Sequence, residues 1–289
     1  MWSSALWRLN QFLAGLGLSY RVRAKPLSLE RAHRYQPPSL PAKHLKAEHF
    51  RPTRLDGTDE RQANGELYSI WKSIPGGHKW HHYFDIYEST LRDLGDAPLR
   101  MLEIGVNRGG SAKMWNRFLP KGSIYLGLDI NPDCKQFEDR GNNLFVEIGD
   151  QSDAGFVSRV TKEYGPFDVI IDDGSHVCSH MVESFNVLFD TALKSPGVYI
   201  AEDAHSNFWP SFRDQSYSFI DLSKDLVDVL HSHYVAHDSE MYFRQGHSTH
   251  LSSALVPKIA TQIREIRFLD SVIIIYKNIK TKLPISEYN

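Results

Sequence analysis

Two short apolar runs, each stopped by acids and a histidine, constrain this chain most. Val169-Ile170-Ile171 leads into Asp172-Asp173-Gly174-Ser175-His176, and Val198-Tyr199-Ile200-Ala201 leads into Glu202-Asp203-Ala204-His205. Short runs rich in Val and Ile, ended by Gly or acids, read as strands covered on both faces, the pattern of a parallel sheet. In open α/β sheets, ligands gather at the carboxyl ends of strands. The two segments therefore predict four carboxylates and two histidines at one crevice. Oxygen ligands with a base nearby are what a Mg²⁺-assisted transfer to a hydroxyl requires.

The same alternation runs through the chain from Leu99 onward. Strands are predicted over 99–105, 123–129, 143–148, 167–172, 197–202 and 271–277, with a further one near 265–269. Helices are predicted over 110–118, 153–163, 177–193 and 217–234, the last from Leu222, Leu226, Val229 and Leu230 at helical spacing. Strands alternating with helices imply an α/β fold, Rossmann-like and doubly wound, around a mostly parallel seven-stranded sheet. Residues 66–95 read as helical segments around Pro75-Gly76-Gly77, with His78-Lys79-Trp80-His81-His82-Tyr83 among them.

The first 65 residues differ in character. Trp2, Leu6, Leu9, Leu13 and Leu16 form an apolar stripe on a predicted helix, followed by Arg21, Arg23 and Lys25. Asn10 and Gln11 interrupt the run, which argues against a signal peptide. Docking within the protein is the preferred role of the stripe, with another subunit or a membrane surface as alternatives. Five prolines between residues 25 and 65 mark an extended linker. The chain thus divides into an N-terminal extension, 1–65, and a catalytic domain, 66–289. A net charge of −2 gives no global attraction to nucleic acid. No apolar run approaches the ~20 residues of a membrane span. Cys134 and Cys178 form neither a metal spacing nor a disulfide framework, which is compatible with a reducing cytoplasm.

Three further acids follow predicted strands. Glu103-Ile104-Gly105-Val106-Asn107-Arg108-Gly109-Gly110 joins the first strand to a helix, where glycine lets the backbone turn tightly and approach a ligand. Asn107 stands where a dinucleotide fingerprint has its second glycine, which argues against NAD. Glu103 suits an ammonium, directly or through water. Asp129 stands 24 residues beyond Gly105, a spacing suited to ribose hydroxyls. Asp150 could hold an adenine amino group. Each acid could instead cap a helix, as could Asp172 and Asp173.

Glu103-x-Gly105, Asp129 and Asp150 resemble a class I S-adenosyl-L-methionine (SAM) methyltransferase. Asp172-Asp173-Gly174-Ser175-His176 and Glu202-Asp203-x-His205 resemble a narrower group, the Mg²⁺-dependent sugar O-methyltransferases of macrolide biosynthesis (mycinamicin and macrocin type), with the cephalosporin-hydroxylase-like proteins as relatives. Gly109-Gly110-Ser111, Met114-Trp115, Trp209-Pro210 and Asp270-Ser271-Val272 extend the resemblance over roughly 78–277. It implies Asp173, Glu202 and Asp203 as ligands of Mg²⁺, or of Mn²⁺, and His176 as the base. Glu103, Gly105, Asn107, Gly109, Asp129 and Asp150 fall to SAM. Asp172 is assigned to this set as a residue behind the ligands or on the backbone. His205, Trp209 and Tyr83 are assigned to the acceptor, in a pocket that includes the loop 206–216. The implied activity is methylation of a sugar hydroxyl on a glycosylated natural product or glycan, by a cytoplasmic homo-oligomer. The alternatives are a catechol-like acceptor, or a SAM-binding scaffold recruited through the N-terminal helix.

Overall fold

The structure is a computed structural model, and it describes residues 53–57, 63–235 and 239–287. The helix expected over residues 1–20, and most of the linker, lie outside the described residues. The compact unit that carries the sheet begins at Arg61.

Two helices lead in, α1 (Glu66–Lys72) and α2 (His81–Arg92). The alternating part follows as β1 (Arg100–Ile104), α3 (Gly110–Phe118), β2 (Ile124–Asp129), β3 (Leu144–Ile148), α4 (Ala154–Tyr164), β4 (Phe167–Asp172), α5 (Cys178–Thr191) and β5 (Leu193–Ala201). The chain closes with α6 (Phe219–Leu230), α7 (Ser232–Val235), β6 (Ile263–Phe268) and β7 (Ile273–Lys277). The seven strands order as β3-β2-β1-β4-β5-β7-β6. β1 to β5 run parallel, and β7 is antiparallel to both β5 and β6.

This is the sheet expected from the sequence. β6 starts two residues early, at Ile263, and β5 starts earliest of all: Leu193 pairs with Phe167, both buried, so the strand begins four residues ahead of the apolar run at 197. The helix expected over 217–234 divides at His231 into α6 and α7. Ser218 and Asp221 close a reciprocal capping box at the start of α6.

Side chains alternate across the strands. Met101, Val169, Ile171, Val198 and Ile200 face α2 and α3, where they pack with Tyr83, Phe84, Tyr87, Met114 and Trp115. Leu102, Ile104, Ile170, Tyr199 and Ile275 face α4, α5 and α6, against Val160, Phe185, Leu188 and Leu226. Both faces are therefore core, and chemistry is confined to the carboxyl ends of β1 to β5, where the chain leaves the sheet. No helix among the described residues is long and apolar enough to cross a membrane.

Candidate active site

The turn after β1 is fixed by close approach and by Asp129. Gly105 has φ 99°, and a Cβ there would lie 2.1 Å from the Asp173 carbonyl oxygen, so no other residue lets the ends of β1 and β4 come together. Gly109, at φ 70°, precedes α3, and a Cβ on it would meet the Phe137 ring at 2.5 Å. Asn107 takes a left-handed φ of 50°. Asp129 accepts the N–H groups of Val106 (2.9 Å) and Asn107 (2.8 Å) on one oxygen and that of Asn131 (2.8 Å) on the other. Asp150 accepts the N–H and the hydroxyl of Ser152, each at 2.8 Å, in a local turn. Both acids thus hold backbone, and their remaining lone pairs are what a ligand could use.

Glu103 lies deep at the end of β1. It is completely buried, and its carboxylate accepts Ser111 Oγ (2.8 Å), Trp115 Nε1 (3.3 Å) and the Tyr125 hydroxyl. Burial raises its pKa, against the opposing charge of Lys79. Through these bonds it ties β1, β2 and α3 together beneath the site.

Asp172 and Asp173 point to opposite faces. Asp172 is buried, with Gln151 Nε2 (3.3 Å) on one oxygen and the Tyr199 hydroxyl (3.0 Å) on the other. Burial pushes its pKa up to about 6. Asp172 anchors Gln151, whose Oε1 accepts the Ser175 N–H at 2.8 Å and braces the loop after β4. Neither aspartate caps α5, whose N-cap is Val177 with no side-chain hydrogen bond. Asp214, from the loop before α6, accepts the Ser179 N–H instead.

On the other face the expected ligands gather in two overlapping groups. Asp173, His176 and Asp203 can each offer a donor atom within 4.8 Å of the others, and so can Glu103, Asp173 and Glu202. Asp173 belongs to both groups, while Asp173, Glu202 and Asp203 do not form one such set among the described residues. His176 Nε2 lies 3.8 Å from Asp173 Oδ1 and 3.7 Å from Asp203 Oδ2. His176 and Asp203 have φ of 55° and 50°, a conformation costly to non-glycine residues and held here by the surrounding structure.

A residue the sequence did not single out completes the cluster. Lys79 Nζ donates to Asp173 Oδ2 and Glu202 Oε2, both at 2.6 Å. Burial disfavours its charge, but Asp173 and Glu202 outweigh this and hold the ammonium well above its ordinary range. Glu202 is 1% exposed, and burial followed by the charge of Asp173 pushes its pKa up, against the opposing pull of Lys79. Its second oxygen, Oε1, is buried and accepts no hydrogen bond.

Tyr83, expected at the acceptor, reaches the cluster through its hydroxyl. Its side chain is buried, and its hydroxyl donates to Asp203 Oδ1 at 2.7 Å, which fixes that carboxylate. His205 Nδ1 bonds the Ser271 hydroxyl. The His205 ring centroid lies 4.7 Å from that of Trp209 and 6.1 Å from that of Trp80. Trp209 and Trp80 are 49% and 47% exposed and form an aromatic rim beside the acids.

The seven-stranded sheet and its flanking helices make a Rossmann-like methyltransferase fold. It is shared with MycE, a methyltransferase from the mycinamycin biosynthetic pathway. In complex with Mg and SAH, MycE superposes with a TM-score of 0.59 and 28% identity over 74% of this chain and 52% of MycE. A second MycE structure, which also holds mycinamycin VI, gives the same TM-score over 77% and 56%. No family model matches. Among curated proteins, the chain is 39% identical over 165 residues to 8-demethyl-8-(2-methoxy-alpha-L-rhamnosyl)-tetracenomycin-C 3'-O-methyltransferase of Streptomyces olivaceus, covering 53% of this chain and 41% of that protein. It is 38% identical over 163 residues to mycinamicin VI 2''-O-methyltransferase of Micromonospora griseorubida, covering 52% and 40%. With demethylmacrocin O-methyltransferase of Streptomyces fradiae the identity is 35% over 177 residues, covering 56% and 44%. The chain thus resembles the macrolide-type sugar O-methyltransferases, and it spans less than half the length of these curated relatives.

Proposed function

We propose that this chain is a SAM- and Mg²⁺-dependent O-methyltransferase whose acceptor is a sugar hydroxyl on a glycosylated natural product or glycan, with residues 66–289 as the catalytic domain. The observation that carries the reading is the surplus of carboxylate around His176. Asp173 and Asp203 flank His176, Lys79 bridges Asp173 to Glu202, and Glu202 Oε1 is buried and accepts no hydrogen bond. An orphaned carboxylate oxygen among further carboxylates fits a hard divalent cation, which prefers oxygen ligands. Asp173, Glu202 and Asp203 would hold it, with Mn²⁺ able to replace Mg²⁺. When bound, the cation would make an acceptor hydroxyl more acidic, and SAM would supply the methyl group.

The chain's own residues do the rest. His176 Nε2, which lies 3.8 Å from Asp173 and 3.7 Å from Asp203, takes the hydroxyl proton. Tyr83 fixes Asp203 from behind, and the Asp172–Gln151–Ser175 chain fixes the loop that carries His176. Gly105, Asn107 and Gly109 shape the turn against which SAM would lie, with Asp129 and Asp150 beside it. Trp80, His205 and Trp209 offer aromatic faces of the kind that stack on sugar rings. The relatives named above act on glycosides, which favours a sugar over a catechol-like acceptor. We place the enzyme in the cytoplasm, where the free Cys134 and Cys178 stay reduced, as a homo-oligomer.

The test is methyl transfer from SAM to a panel of rhamnosides and related glycosides, in Mg²⁺ and in EDTA, beside a catechol control. Transfer to a glycoside that stops in EDTA supports the reading. Transfer to the catechol alone would replace the acceptor, and transfer at full rate in EDTA would remove the metal.

A further inference from the structure

Lys79 is a buried cation that the proposed reaction leaves without a task. Its side chain is 4% exposed and runs from the segment between α1 and α2 to the ends of β4 and β5. Its ammonium stands 2.6 Å from one oxygen of Asp173 and 2.6 Å from one oxygen of Glu202, two of the three proposed metal ligands. A charge bridging two carboxylates is what a metal ion in this site would be.

The geometry around it carries a second mark. With the ammonium in place, Asp173 groups with Glu202 on one side and with Asp203 on the other, and the three do not meet as one donor set among the described residues. Asp203 is held on its own side by the Tyr83 hydroxyl. Glu202 keeps its free oxygen buried. By binding Asp173 Oδ2 and Glu202 Oε2, Lys79 holds these two acids as a pair apart from Asp203.

We propose that Lys79 is an internal cation that occupies the metal's place between Asp173 and Glu202 in the metal-free protein, yields it when a divalent cation enters, and thereby sets the metal affinity. The inference rests on the metal-dependent reading above. A divalent ion carries twice the charge of an ammonium and approaches carboxylate oxygens to about 2.1 Å, closer than the 2.6 Å of Lys79. It therefore displaces the lysine, whereas a monovalent ion has no charge advantage over it. The site is in this way selective for divalent ions while its acids stay paired without them. The flexible four-carbon stem permits the movement. The Tyr87 ring lies 5.8 Å from Nζ, and Glu103 is close enough to act on its charge, so the displaced ammonium has partners at hand.

The experiment is calorimetric titration of Mg²⁺ into the full chain, wild type beside Lys79→Met, with thermal melting of each in EDTA and in Mg²⁺. The expected result is Mg²⁺ binding to Lys79→Met that is tighter by about ten-fold or more, since one competing positive charge has gone. Its Tm should be lower than wild type in EDTA, with a larger rise on adding Mg²⁺. A merely structural lysine would not tighten metal binding when removed. Should Lys79→Met fail to fold, Lys79→Gln, which keeps an N–H donor without the charge, must show the same tightening. Wild type that binds Mg²⁺ while the variants bind it equally or more weakly overturns this inference and leaves the metal site standing. Absence of Mg²⁺ binding in wild type and variants alike removes the metal reading, and this inference with it.

Discussion

The acids that follow β2 and β3 and those that follow β4 and β5 lie at the same edge of one sheet, and they are used in opposite ways. Asp129 and Asp150 turn their oxygens to N–H and O–H groups of the turns around them: Val106 and Asn107 after β1 and Asn131 after β2 for the first, Ser152 for the second. Asp173 shares Lys79 with Glu202 and His176 with Asp203, and Tyr83 donates to Asp203. A carboxylate that accepts backbone donors is satisfied and stabilises its turn. Several carboxylates facing one another are not satisfied, and they persist only where a cation or a proton offsets the charge. The first side reads as scaffold for a nucleoside, the second as a cation site, although sequence alone shows only an acid after each strand.

The largest effect expected is from the second side. Asp173→Ala or Glu202→Ala should reduce turnover by about three orders of magnitude or more, the scale of several kcal/mol supplied by a catalytic metal. The Tm in EDTA should stay close to wild type, since each change also relieves repulsion between like charges. A collapse of Tm would show that these acids are structural, as Asp129 is. His176→Ala should follow, with kcat lower by about 10²–10⁴-fold and the Kd for SAM unchanged, as for loss of a general base. Unchanged kcat at saturating acceptor would remove His176 from proton transfer.

On the first side the order of effects should reverse. Asp129→Ala strips acceptors from three backbone N–H groups and should cost about 1–3 kcal/mol in urea denaturation, with weaker SAM binding and no change in Mg²⁺ affinity. Equal stability would mean that water replaces the carboxylate and that the contrast between the two sides is weaker than drawn. The smallest effect concerns Glu138, in the loop leading to β3. Burial pushes its pKa up, but Arg140 and Lys135 outweigh this and hold it at about 2, against an ordinary 4.5. A folded-state pKa below the unfolded one contributes stability above pH 4.5 that is lost as pH falls toward 2. Glu138→Gln should therefore lower the Tm slightly at pH 7 and flatten its fall between those values. The pair is partly exposed, so the change is small.

Much of this was legible in the sequence because the strands announce themselves. The Val and Ile runs placed β2, β3 and β4 to within a residue, and the acid after each strand marked the edge that carries the site. Which face each acid takes was not legible. Both faces of a parallel sheet are apolar, so the period of two separates Asp172 from Asp173 without saying which one meets the crevice. The structure turns Asp172 to Tyr199 and Gln151, and Asp173 to Glu202. Lys79 was hidden for another reason. Its partners lie 94 and 123 residues further along the chain, and no local spacing records such a contact. Tyr83, read as bordering the acceptor, lies on the buried face of α2, where only its hydroxyl reaches the site.

The most direct measurement is a Mn²⁺ titration followed by electron paramagnetic resonance, on wild type, Asp173→Asn and Asp129→Asn. The account predicts a single bound Mn²⁺ per chain in wild type and in Asp129→Asn, and loss of that binding in Asp173→Asn. Binding that survives in Asp173→Asn, or vanishes in Asp129→Asn alone, would contradict the assignment of the cation to the acids after β4 and β5.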